Sequence, residues 1–171
     1  FYREFYLREK WNIAIEMIKK AKEFDPLDIT ITHNLAVLYL QLGMYKEAIG
    51  EFQRYLNEQP DDIEAHIEIS GAYRMNKEYD NALKEIDWLL NKNANNNYVH
   101  FLKANILQDM GKYNDAHKEY LLALREKGKE ADVWYAIGLL SLKQNKAKDA
   151  KEAFRKAVEY KSLLDRAKNK D

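Results

Sequence analysis

Five alanines, Ala14, Ala48, Ala82, Ala116 and Ala150, stand 34 residues apart without a gap. No other feature constrains this chain so tightly. A fixed repeat of about 20–50 residues is the mark of stacked like units rather than of one irregular core. Further positions keep the same register. Three residues before the alanine stand Trp11, Tyr45, Tyr79, Tyr113 and Ala147, and four after it stand Ile18, Phe52, Ile86, Tyr120 and Phe154. Seven after it come Ala21, Tyr55, Leu89, Ala123 and Ala157. Nine before it come Phe5, Tyr39, Tyr73, Leu107 and Ser141, and twelve before it Tyr2, Ala36, Ser70, Ala104 and Gly138.

Spacings of three, four and seven residues share one helix face. Each unit therefore reads as two helices with a short break. Gly43 and Gly111 close a first helix in the left-handed conformation, and the asparagines of Asn76-Lys77 and Asn145-Lys146 take that place in two other units. Between units, Pro26 and Pro60 stop the outgoing helix, while Asp28 and Asp62 accept from the free N–H groups of the next. The spacing predicts ten helical segments, at 1–7, 11–24, 29–42, 45–58, 63–75, 79–91, 97–110, 113–126, 131–144 and 147–166. Ala48, Ala82 and Ala116 are expected to be buried where paired helices cross.

These residues resemble the tetratricopeptide repeat family, whose 34-residue unit places small residues at helix crossings and proline near its end. The resemblance covers nearly the whole chain. It implies an all-α, right-handed superhelical solenoid of antiparallel helix pairs, forming one array over 1–171. Within it 1–28 is a partial repeat, 29–62, 63–96, 97–130 and 131–164 are full repeats, and 165–171 is a tail. Tyr55 and Leu89 depart from the family, which favours alanine there, so packing around Tyr55 is expected to be looser or shifted. Trp134 stands where other units have Thr32, His66 and His100. A pentatricopeptide array would show a 35-residue period, and a heptad coiled coil would not break every half unit.

Composition narrows the function. Lys and Arg number 28 and Asp and Glu 28, so there is no basic surplus of the kind a nucleic-acid binder carries. No cysteine is present, and no apolar run reaches the length of about 18 residues that a membrane helix needs. Residue 1 is Phe rather than Met, so the chain reads as a piece of a longer protein whose compartment is not legible. The four histidines do not make a zinc site, which usually needs four ligands, and His66 and His100 read as framework residues. No nucleophile–base set or phosphate loop is visible, so neither catalysis nor a cofactor is expected.

What remains is the inner stripe of the first helices, which the resemblance places on a concave groove. Its candidate partner-binding residues are Asn34, Val37, Glu64, Ile67, Glu68, Arg74, Tyr98, Phe101, Asn105, Tyr135 and Leu139. Such a groove takes an extended or helical peptide. Some family members clamp a peptide's C-terminal carboxylate with lysine, arginine and asparagine. Asn34 fits that mode, but Glu64 and Glu68 stand where basic residues are needed and would repel the ligand. Tyr98, Phe101 and Tyr135 suit either apolar anchoring or mutual packing, with Tyr135 expected beside Phe101. Gly71 either leaves a notch for a ligand or permits a close helix approach. The leading expectation is a protein–protein interaction scaffold. The alternatives are self-assembly through end faces, with Phe1, Tyr2 and Phe5 bared, or a regulatory or substrate-docking region of a larger enzyme.

Overall fold

The computed structural model describes the backbone of residues 2–94, 96–124 and 130–168, and side chains within those spans from Lys10 on, apart from Asn96, Leu164 and 166–168. Every described element is a helix. In order they are α1 (Tyr2–Phe24), α2 (Ile29–Gln41), α3 (Tyr45–Glu58), α4 (Ile63–Met75), α5 (Tyr79–Asn91), α6 (Asn96–Asp109), α7 (Tyr113–Ala123), α8 (Glu130–Lys143) and α9 (Ala147–Lys168). Contacts group them into two compact units, Phe1–Glu85 and Ile86–Asp171, with the division inside α5.

In the first unit α1 packs on α2, α2 on α3 and α3 on α4, and α2 also touches α4. Ala36, Ala48, Phe52, Ala65 and Ala82 are fully buried there. In the second, α6 packs on α7, α7 on α8 and α8 on α9. Its core joins Ala104, Ala116, Tyr120, Ala123, Val133, Ile137, Leu140 and Ala153. The three alanines at 48, 82 and 116 are each fully buried, as their spacing demanded. A methyl group is what lets two backbones approach at these crossings.

Helix starts follow the sequence. Asp28 Oδ1 accepts from the Thr30 N–H at 2.8 Å, and Asp62 Oδ1 from the Ala65 N–H at 3.1 Å. Helix ends recur with the repeat. Gly43, Lys77, Gly111 and Asn145 all have positive φ, of 73°, 64°, 77° and 59°. Each is followed by a residue whose N–H reaches back five places, as Met44 does to Tyr39 and Glu78 to Tyr73. One sequence expectation is corrected. Lys77, not Asn76, takes the left-handed place, while Asn76 Nδ2 donates to Glu78 Oε1 at 2.6 Å. The turn geometry fixes the repeat position, and the residue there has to comply.

A second correction concerns the start of the chain. The two segments expected at 1–7 and 11–24 are one continuous helix, α1. Residues 2–24 contain neither Gly nor Pro, and helix-favouring residues fill the stretch where the other units turn. The expected baring of Phe1, Tyr2 and Phe5 lies outside the described side chains. The segment joining α7 to α8, residues 125–129, lies outside the described residues as well.

Candidate functional site

In two successive hairpins, α4/α5 and α6/α7, one interfacial position repeats with a polar pair. His66 Nδ1 of α4 lies 2.6 Å from Glu85 Oε2 of α5, and His100 Nδ1 of α6 lies 2.6 Å from Glu119 Oε2 of α7. His66 Nε2 also lies 3.0 Å from the Pro60 carbonyl. One unit earlier the place of His66 is held by Thr32, and Glu51 instead receives Lys22 Nζ at 2.5 Å and Arg54 Nη1 at 2.6 Å. These histidines are thus committed to holding helices together. Among the described residues no group of three or more His, Asp or Glu is arranged to hold a metal ion.

On the inner stripe of the first unit, Asn34 and Glu64 are exposed, while Val37, Ile67, Glu68 and Arg74 are half-buried. Glu68 is not a bare acid. Its Oε2 lies 2.8 Å from His33 Nε2, tying α4 to α2. Burial raises the Glu68 carboxyl above its ordinary range, against the opposing pull of His33. The His33 ring in turn lies 4.8 Å from Tyr55 and 5.9 Å from Phe52. Tyr55, where the family favours alanine, is half-buried. Its hydroxyl donates to Asp62 Oδ2 at 2.7 Å, and that bond raises the Tyr55 pKa. Burial pushes Asp62 up, but the bonds from Tyr55 and from backbone N–H groups outweigh it and leave the carboxyl lowered. Gly71 has nothing within 4 Å of where a Cβ would stand, so it opens a notch and permits no close approach.

In the second unit Tyr98 stacks on Phe101 at 6.4 Å with 16° between the planes, and Phe101 tilts against Tyr120 at 5.8 Å. Asn105 Oδ1 accepts from the buried Tyr120 hydroxyl at 2.6 Å. The structure therefore brings Phe101 and Asn105 onto Tyr120, with Tyr98 stacked on Phe101. The ring of Tyr135 meets Phe154 at 5.6 Å, and among the described residues no ring contact joins it to Phe101. Tyr135 and Leu139 of α8 are both exposed.

The sequence reading missed a groove between α8 and α9. It has a volume of about 520 Å³ and is lined by Ala131, Asp132, Tyr135, Phe154, Ala157, Val158 and Lys161. The sequence carried no separate signal for it. Val158 continues the series Leu56, Leu90, Leu124 at 34-residue steps, but alone among them is exposed. No described helix is long and apolar enough to cross a membrane.

Family models described as tetratricopeptide repeat match residues 40–106 and 101–167. Superkiller complex protein 3 of Homo sapiens is 28% identical over 122 residues, covering 71% of this chain and 8% of that protein. BBSome complex member BBS4 of Bos taurus is 33% identical over 79 residues, 46% of this chain and 15% of that protein. This chain therefore spans a small part of these relatives. Among solved structures, MamA superposes with a TM-score of 0.75 at 19% identity, covering 94% of each chain. MamA from Desulfovibrio magneticus RS-1 gives 0.74 at 17% identity, covering 96% of this chain and 91% of that one. At such identities the likeness is one of fold.

Proposed function

This chain belongs to the tetratricopeptide repeat family, and we propose that it is a non-catalytic scaffold that holds a peptide segment of another protein on its first helices. The observation that carries the reading is the state of α6. Tyr98 and Phe101 stack on each other and stay half-exposed, although the core beneath them is already closed by Tyr120. Rigid aromatics placed this way supply large contact area at low entropic cost. Asn105 commits its oxygen to Tyr120, which leaves its amide N–H groups to meet a backbone carbonyl. The open notch at Gly71, the exposed Glu64 and the half-buried Ile67 give the α2–α4 surface a mixed apolar and acidic character. Taken by itself, such a surface favours a segment with a Lys or Arg beside an apolar residue. The two curated relatives are members of multiprotein complexes by name, which agrees with a scaffold role.

The test is selection of a displayed random peptide library on the full chain. Enriched peptides should carry two spaced apolar anchors and a basic residue. Replacing Phe101 and Tyr135 together by alanine should weaken the winning peptide by about 1–2 kcal/mol, with helicity unchanged. Unchanged affinity in that double variant would move the binding surface to the outer helices.

A further inference from the structure

We propose that the cavity between the α1–α2 turn, α2 and α3 is a socket for a histidine side chain of a partner protein. Its lining shares no residue with the peptide-holding surface, so the two readings stand or fall separately.

The repeat supplies the comparison. In α4/α5 the His66 ring reaches the Pro60 carbonyl with Nε2 at 3.0 Å and Glu85 with Nδ1 at 2.6 Å. Thirty-four residues earlier the chain keeps the proline as Pro26 and the acid as Glu51, but puts Thr32 where the ring would start. A cavity of about 420 Å³ opens there, with Pro26, Ile29, Thr32 and Arg54 in its lining.

Two polar groups of this cavity have no protein partner. Thr32 is only 7% exposed. The buried hydroxyls of Ser70 and Ser141 donate to the Ile67 and Ile137 carbonyls of their own helices, whereas among the described residues the Thr32 hydroxyl makes no hydrogen bond. Nor does any described group donate to the Pro26 carbonyl. Buried polar groups are normally paired. A neutral imidazole offers both missing partners, an N–H for the Pro26 carbonyl and a bare nitrogen for the Thr32 hydroxyl. Charge suits a neutral ring as well. Lys22 and Arg54 on the wall both bond Glu51, and Glu58, also in the lining, brings two carboxylates against two cations.

The mouth points to a protein as the source of the ring. Phe24 and Leu27, on the turn beside it, are 91% and 92% exposed. One repeat on, the same places hold Glu58 and Asp61, which are exposed too. The repeat thus turns these places outward and elsewhere fills them with acids. Apolar residues at this turn offer contact to the residues flanking an inserted histidine.

Imidazole titrated into the full chain, followed by NMR, is the first probe. The Ile29 and Thr32 amides should shift and saturate. 1-Methylimidazole keeps the ring and the bare nitrogen but has no N–H, and should bind about three- to tenfold more weakly. Thr32→Val keeps the shape, removes the hydroxyl and should weaken imidazole by about the same factor without lowering the melting temperature. Thr32→His should place the chain's own ring in the socket and abolish the shifts. A tripeptide with histidine between two leucines should bind more tightly than imidazole. Phe24→Ser, outside the lining, should reduce that gain and leave imidazole binding as it was. Unmoved Ile29 and Thr32 resonances in the wild type would overturn the socket, as would 1-methylimidazole binding as well as imidazole or Thr32→Val binding like the wild type. A tripeptide no tighter than imidazole would overturn the protein partner.

Discussion

The hairpins α6/α7 and α8/α9 share one register and solve it with different chemistry. In α6/α7 the crossing is sealed by Tyr120, fully buried, whose hydroxyl donates to Asn105. In α8/α9 the same place holds Phe154, half-exposed, lying on Gly138 and against Tyr135. An added Cβ at Gly138 would stand 2.4 Å from the Phe154 ring, so only glycine admits this arrangement. The helix pairs are locked differently too. His100 and Glu119 lock α6 to α7, whereas Trp134 faces Ala153, and Lys156 Nζ sits 4.2 Å over the indole ring. A cavity of about 390 Å³ opens beside Trp134 and Ala153, where no carboxylate reaches in from that position. The repeat register thus conserves size and direction at a crossing while leaving open whether the seal is polar or apolar.

The largest expected effect separates the two seals. Tyr120→Ala should cost about 3–5 kcal/mol, because it empties a closed site and leaves the Asn105 oxygen without its donor. Phe154→Ala should cost about 2 kcal/mol, because its ring already faces solvent on one side. Urea unfolding of the two variants measures both. Equal losses would mean that the two crossings are equally closed in solution.

Next in size is the polar lock. Glu119→Ala strands the His100 ring nitrogen at a half-buried place and should cost about 1–3 kcal/mol. The comparison sharpens if the lock is transplanted. Ala153→Glu alone buries a carboxylate beside Trp134 and should destabilise the hairpin. Adding Trp134→His should restore a pair, with a coupling of about 0.5–3 kcal/mol in the double-mutant cycle. Zero coupling would show that geometry at this hairpin, not residue choice, forbids the pair.

The smallest effects lie at the turns within the hairpins. Gly111→Ala should lose about 1 kcal/mol, since alanine resists a φ of 77°. Asn145→Gly should gain only a few tenths of a kcal/mol, since asparagine tolerates the left-handed region well. Lys77→Gly, at the same repeat position in the first unit, should gain about 1 kcal/mol. Thermal melts rank the three, and a loss of stability in Lys77→Gly would remove the strain argument.

The sequence by itself determined the periodic part of this protein. The 34-residue step located the buried alanines at 48, 82 and 116, the capping Asp28 and Asp62, and most helix limits to within a residue or two. This works because a stacked repeat imposes the same local physics at every step. Small residues mark crossings, acids mark helix starts, and left-handed residues mark turns. What depends on neighbours across helices had no such imprint. Glu68 read as a groove acid but is held by His33, which stands 35 residues away in the chain. That Asn105 gives its oxygen to Tyr120 and that the Tyr135 ring meets Phe154 were not legible either. The uninterrupted α1 escaped as well, because a repeat pattern suggests a break wherever the register has one, whereas the backbone breaks only where its residues and contacts require it. Side-chain partnership is a tertiary decision. Two residues on one helix face share a direction, but which neighbour each one meets depends on the size and polarity of whatever the facing helix brings to that place.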